Sequence, residues 1–120
     1  MKVAVTTTGV DLDAALDPRF GRASRLIVYD TEGGRFEVLE NHKNLQAAQG
    51  AGVQTAASVS RSGAGCLVTG HLGPRAFRVL NAAGIQVYLT DAPTVAEALR
   101  RLRCGELTPA LSADVDGHWA

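Results

Sequence analysis

The chain has 120 residues, 46% of them hydrophobic and 20% charged, with 12 Lys+Arg balanced by 12 Asp+Glu. That fits one globular domain burying roughly 65% of its unfolded surface. Zero net charge argues against a general nucleic-acid binder, and 5% aromatic residues are too few for a base-stacking platform. The N-terminal apolar run turns polar at Thr6-Thr7-Thr8, too soon for a signal-peptide core or a membrane span. Cys66 and Cys104 have no paired spacing, so a reduced, cytoplasmic protein with no membrane partner is expected.

Lys2 to Thr6 reads as a buried strand, with β-branched Val3 and Val5. A long loop, Thr7 to Ser24, follows; within it Asp17-Pro18-Arg19-Phe20-Gly21-Arg22 joins turn chemistry to two guanidinium groups. Leu26 to Tyr29 is a second strand, Thr31 to Gly34 a hairpin turn, and Arg35 to Glu40 a third strand pairing antiparallel to the second. Glu40 to Gln49 is a polar connection. A helix then runs from Gly50-Ala51-Gly52 to about Arg61, with Val53, Ala56, Ala57 and Ser60 as its thin packing face.

Cys66-Leu67-Val68 is a fourth strand, broken by Thr69-Gly70. Pro74 opens a helix with Phe77, Leu80 and Ala83 inward, Arg75 and Arg78 outward, and Gly84 as its cap. Ile85 to Leu89 is a fifth strand. Thr94-Val95-Ala96-Glu97 matches a capping box, and Val95, Ala98, Leu99 and Leu102 form the buried stripe of a last helix. Arg100, Arg101 and Arg103 face water near its end. Residues 106 to 120 show no period and are expected to lie loosely, although Trp119 could fold back. The order predicts an α/β mixed five-stranded sheet with three helices: an antiparallel start, then β-α-β-α units. Ligands on such sheets bind beyond the carboxyl ends of the parallel strands, here after Thr6, Thr69 and Leu89.

Three features at that edge carry chemistry. The turn Gly70-His71-Leu72-Gly73-Pro74 can offer backbone N–H groups to an anion, or be an ordinary strand-to-helix turn; Gly50-Ala51-Gly52 is a weaker case. Arg19 and Arg22 can clamp an oxyanion, or be pinned by Asp11, Asp13 or Asp17. Of His42, His71 and His118, His71 is best placed as a ligand or proton carrier. Cys66 and Cys104 read as structural thiols, Cys66 a buried one. No Walker loop, dinucleotide fingerprint, nucleophile elbow or closed zinc site is present. A metal-dependent nuclease is rejected, because the first and fourth strands carry no acid.

Taken together, Asp17-Pro18-Arg19-Phe20-Gly21-Arg22-Ala23, the Gly50-Ala51-Gly52 helix start, Thr69 to Phe77 and Ala82 to Tyr88 resemble the dinitrogenase iron–molybdenum cofactor biosynthesis family, which includes NifX-type carriers and the C-terminal domain of NifB-type proteins. The resemblance covers about Met1 to Leu107, giving a domain over 1–107 and a tail over 108–120. It implies a ribonuclease H-like fold. It also implies non-enzymatic binding of an iron–molybdenum or iron–sulfur cluster or its precursor, exchanged with donor and acceptor proteins. Carried onto this chain, the binding positions are Arg19, Phe20, Gly21, Arg22, Gly50, Gly52, Gly70, His71 and Gly73, with His71 and His42 as the metal ligands. Many members have a histidine where this chain has Arg19. Two alternatives stay open: an interaction module that has lost cluster binding, and an enzyme on a small anionic substrate with His71 as acid/base. For the enzyme, no carboxylate partner lies near in sequence.

Overall fold

A computed structural model describes residues 1–46 and 50–115. The expected fold-back of Trp119, the third histidine, His118, and the stretch Ala47-Ala48-Gln49 fall outside them.

Five strands, β1 (Lys2–Thr7), β2 (Arg25–Asp30), β3 (Phe36–Glu40), β4 (Cys66–Thr69) and β5 (Gln86–Leu89), form one sheet in the order β3-β2-β1-β4-β5. β2 runs antiparallel to β1 and β3, while β4 runs parallel to β1 and β5. The antiparallel start and parallel finish are as the sequence implies. β1 is central and buried from Val3 to Thr7, which explains why its apolar run does not alternate.

Both faces are covered. α2 (Ala51–Arg61) and α3 (Pro74–Ala82) pack with Ala4, Leu26, Val28, Leu67 and Val87 on one face. α4 (Val95–Arg103) packs with Val3, Val5, Ile27 and Val68 on the other. Loop residue Phe20, in a short 3₁₀ turn (Phe20–Arg22), is fully buried in the first cluster. Burying such a ring contributes roughly 2–3 kcal/mol, enough to tie the loop to α2 and α3.

The local rules hold at α3: Pro74 takes the first turn, and Gly84, at φ 76°, lets Ile85 donate back to Leu80 O at 3.0 Å. Three details differ from expectation. A fourth helix, the single turn α1 (His42–Leu45), lies in the segment expected to be a polar connection. It is held by tertiary bonds: buried Asn41 donates to Ala23 O and Thr55 Oγ1, and Asn44 Nδ2 donates to Asn41 Oδ1 and Ser58 Oγ. The buried face of α2 is Ala51, Gly52, Thr55, Ala56 and Val59, rotated from the expected stripe. Thr55 can be buried because its hydroxyl donates to Ala51 O, and Ser60 is exposed, as is Ala83 after α3. The Thr94 hydroxyl accepts the Glu97 N–H, but the Glu97 carboxylate does not complete the capping box, because Arg100 and Arg101 hold it.

Directions follow from the pairing. β1, β3, β4 and β5 all end at one rim of the sheet, so α1, α2, α3 and α4 all start there.

Candidate functional site

The rim is assembled by two strand ends. Thr6 and Thr69, neighbours at the ends of β1 and β4, share a buried hydroxyl bond of 2.7 Å, and Thr6 Oγ1 also donates to Asp17 O at 2.7 Å. Asp17 N–H donates to Thr6 O, and its carboxylate accepts the Arg19 N–H. The loop is thereby laid across the end of β4. There Arg19 and His71 form a short parallel bridge: His71 N–H donates to Pro18 O at 2.6 Å and Phe20 N–H to His71 O at 3.2 Å.

Gly70 makes this approach possible. A Cβ there would stand 2.7 Å from Pro18 Cα and carbonyl oxygen and 2.8 Å from its Cβ. The glycine is needed because backbone lies directly against it.

The structure thus brings Arg19, Phe20, Gly21 and Arg22 beside Gly70, His71 and Gly73. It separates their roles. Phe20 and Gly21 are buried, as are Gly52, Gly70 and Gly73, whereas Arg19, Arg22 and His71 are exposed. Phe20 is an anchor. Gly50 takes φ 98° at the head of α2, the helix that packs on the 3₁₀ turn. His42 is not brought to this group. It lies after β3, three strand spacings from β4, or about 14 Å across the sheet, and its Nε2 sits 3.3 Å from Glu40. Among the described residues no three His, Cys, Asp or Glu side chains gather as a metal-holding group.

The charge distribution at the rim is uneven. α2 and α3 begin with no side-chain cap and no acid in the first turn, whereas α4 has Thr94 and Glu97. Uncapped N–H groups and the helix dipole favour negative charge at the first two starts. Among the described residues, Arg19, Arg22, Arg75 and Arg78 make no ion pair, while Arg25, Arg100 and Arg101 do. A crevice of about 470 Å³ opens between Pro18, Gly70 and His71 on one side and Leu89 to Ala92 on the other. It lies where the chain leaves β4 for α3 on one face and β5 for α4 on the other, the place at which open α/β sheets form clefts. Asp91 lines it with negative charge, its carboxyl held below the usual range by a hydrogen bond from Arg101. The anion-friendly part of the rim is therefore the α2–α3 side.

One site residue was not foreseen. Asp114 Oδ2 lies 2.8 Å from His71 Nδ1, Asp114 Oδ1 accepts the Leu72 N–H at 2.8 Å, and Asp114 N–H donates to Leu72 O at 3.2 Å. The expected open amides beside His71 are thus engaged: that of His71 by Pro18, that of Leu72 by Asp114. The stretch leading to Asp114 is tied to the body as far as Ala110. Leu107 packs on the α4 face, Pro109 pairs with Tyr88, Ala110 N–H donates to Val87 O at 2.8 Å, and Ala110 packs on the α2–α3 face. A position 43 residues away gives no sequence signal, since it belongs to a stretch without periodicity.

With this geometry in view, the family model described as dinitrogenase iron–molybdenum cofactor matches residues 1–105. The chain belongs to that family. It is similar to the orange protein of Desulfovibrio gigas, solved in its apo form, at 38% identity over 95% of this chain and 96% of that one, with a TM-score of 0.92. A NifB-like protein from Thermotoga is 35% identical over 97% and 98% of the two chains, with a TM-score of 0.83. An uncharacterised protein of Methanocaldococcus jannaschii is 25% identical over 89% of this chain and 93% of its own length. TM-scores of 0.92 and 0.83 show that the two solved structures share this chain's fold. Among the described residues no helix is long and apolar enough to cross a membrane.

Proposed function

We propose that this member of the dinitrogenase cofactor family is a non-enzymatic, cytoplasmic carrier. Its cargo is an anionic iron–molybdenum or iron–sulfur cluster, or a precursor, passed between donor and acceptor proteins. The observation that carries the reading is the pairing of the Arg19–Arg22 loop with the Gly70–His71 turn at the rim where α2 and α3 start uncapped.

The donor chemistry fits an anion gripped from outside its metal–sulfur core. Thiolates are the usual protein ligands of iron–sulfur clusters, and neither cysteine serves the rim. Cys66 starts β4 at the opposite end and burial pushes its thiol pKa up; Cys104 closes α4. Arg19 and Arg22 offer forked donors, the helix starts offer amides, and His71 offers an imidazole whose Nδ1 lies against Asp114. Such a grip lets the cargo go without breaking several metal–thiolate bonds. His42, on the far side of the sheet, takes no part in this reading.

The test is anaerobic titration with tetrathiomolybdate, alone and with ferrous iron and sulfide, followed by desalting, metal analysis and absorbance. Retained molybdenum is expected, and Arg19→Ala, Arg22→Ala and His71→Ala should each lower affinity about tenfold, the worth of one charge-assisted contact, with melting unchanged. No molybdenum or iron retained at micromolar protein would overturn the carrier and favour an interaction module. The His71–Asp114 pair supplies the carboxylate that an acid/base role for His71 requires; that second reading demands turnover of a small anion abolished by His71→Ala.

A further inference from the structure

The C-terminal segment reaches the rim by a definite path. Its last fixed point in the body is Ala110, whose N–H donates to Val87 O and whose methyl packs against the α2–α3 core. Among the described residues, Leu111, Ser112 and Ala113 make no hydrogen bond or ion pair. Leu111 is 92% exposed and adds no apolar anchor. The next specific contacts are the three made by Asp114: carboxylate to the Leu72 amide, carboxylate to the His71 ring, and amide to Leu72 O. Asp114 is an exposed residue whose side chain is 31% exposed, so water competes for these bonds, and ordering residues 111 to 114 costs conformational entropy that opposes them.

The groups Asp114 meets, the Leu72 N–H and Nδ1 of the His71 ring, belong to the turn read above as the anion grip. The occupant is itself an anion, with two oxygens set on two donors. A carboxylate here is chemically the same kind of guest as the edge of an oxyanionic or sulfide-bearing cluster: a diffuse negative charge accepting hydrogen bonds.

We propose that Asp114 is a displaceable internal competitor, its carboxylate holding the Leu72 and His71 donors until an anionic cargo takes them and releases residues 111–115 while Ala110 stays pinned. The proposal rests on the carrier reading and adds regulation to the same site. It has a directional consequence: loading the cargo frees an acidic segment at the rim, and handing it over lets that segment return. The tail thereby lowers affinity enough for transfer and closes the empty site against unrelated anions.

The experiment compares full-length wild type, Asp114→Ala and Asp114→Asn for tetrathiomolybdate binding, and follows amide hydrogen exchange with and without the probe. Asp114→Ala should bind at least about tenfold tighter, since the two carboxylate hydrogen bonds no longer have to be broken. Asp114→Asn keeps an oxygen for the Leu72 amide and should fall between; it also serves if the alanine variant folds poorly. In wild type, saturation with the probe should speed exchange of the Asp114 amide and leave the Ala110 amide unchanged. Equal or weaker binding by both variants while wild type retains the probe overturns the competitor and leaves the carrier standing, as does an Asp114 amide that stays protected at saturation. Retention by none of the three proteins removes the carrier reading and the competitor with it.

Discussion

Gly70→Ala tests how the rim is built. The new methyl would meet Pro18 Cα and O at 2.7 Å and Pro18 Cβ at 2.8 Å, none of them the free end of a flexible side chain. Relief requires Pro18 to lift away from β4. That strains or breaks the His71 N–H to Pro18 O bond of 2.6 Å and the neighbouring Phe20 N–H to His71 O bond of 3.2 Å. Overpacking costs about 1–3 kcal/mol and each of the two lost bonds about 0.5–1.5, giving roughly 2–6 kcal/mol. For a domain of this size a kilocalorie moves the melting temperature by about 3–5 °C, so a fall of about 6 °C or more is expected. The control is Gly63→Ala, where φ is +84° but no atom lies within 4 Å of the added carbon; there only left-handed strain of about 1–2 kcal/mol applies. Thermal melts by circular dichroism compare the two. Gly70→Ala melting within about 2 °C of wild type, or no lower than Gly63→Ala, would show that the loop does not press on the strand end as described.

Three more outcomes follow from the structure. Asn41→Ala removes the side-chain donor to buried Ala23 O and to Thr55 Oγ1 and the acceptor of one Asn44 amide bond, while Thr55 keeps Ala51 O and Asn44 keeps Ser58 Oγ, so urea unfolding should show a loss of about 1–3 kcal/mol. Glu97 is held at a pKa of about 2 by hydrogen bonds from Arg100 and then Arg101. Because its folded pKa lies below the ordinary value of 4.5, its stabilisation is complete above that pH and is lost as pH falls towards 2. Asp91 and Glu106, held low by Arg101 and Arg100, act in the same sense. Melting temperature should therefore drop between about pH 4.5 and 2, and Glu97→Gln should flatten that drop; an identical slope in the variant would discard the network as its source. Cys104 is exposed while Cys66 is buried with a raised thiol pKa, so mass spectrometry after brief iodoacetamide treatment should find Cys104 alkylated first, and equal labelling of the folded protein would contradict the burial.

Much of the fold is legible because it is written locally. β-branched runs mark the strands, Pro74 and Gly84 bracket α3, and Thr94 starts α4. What escapes the sequence is written in distant partners. The polar residues of α1 look like a loop until Asn41 and Asn44 meet Thr55 and Ser58 on α2. The face of α2 is misread because a threonine that bonds its own helix backbone can be buried like an apolar residue. At the rim, the convergence of the arginine loop on the glycine turn follows from the direction of the parallel strands. The closure of that turn does not, because Asp114 arrives from a tail whose own sequence carries no pattern.

The shared rim also has an evolutionary consequence. Four strands end and four helices start there, but their connections are not equally free to change. The short turns after β4 and β5 lie outside the ladders, whereas the long loop after β1 sends Leu16 and Phe20 into the core and is bound to it. Because every helix runs away from that rim, the positive ends of their dipoles gather on it, and changes confined to the turns leave that polarity in place.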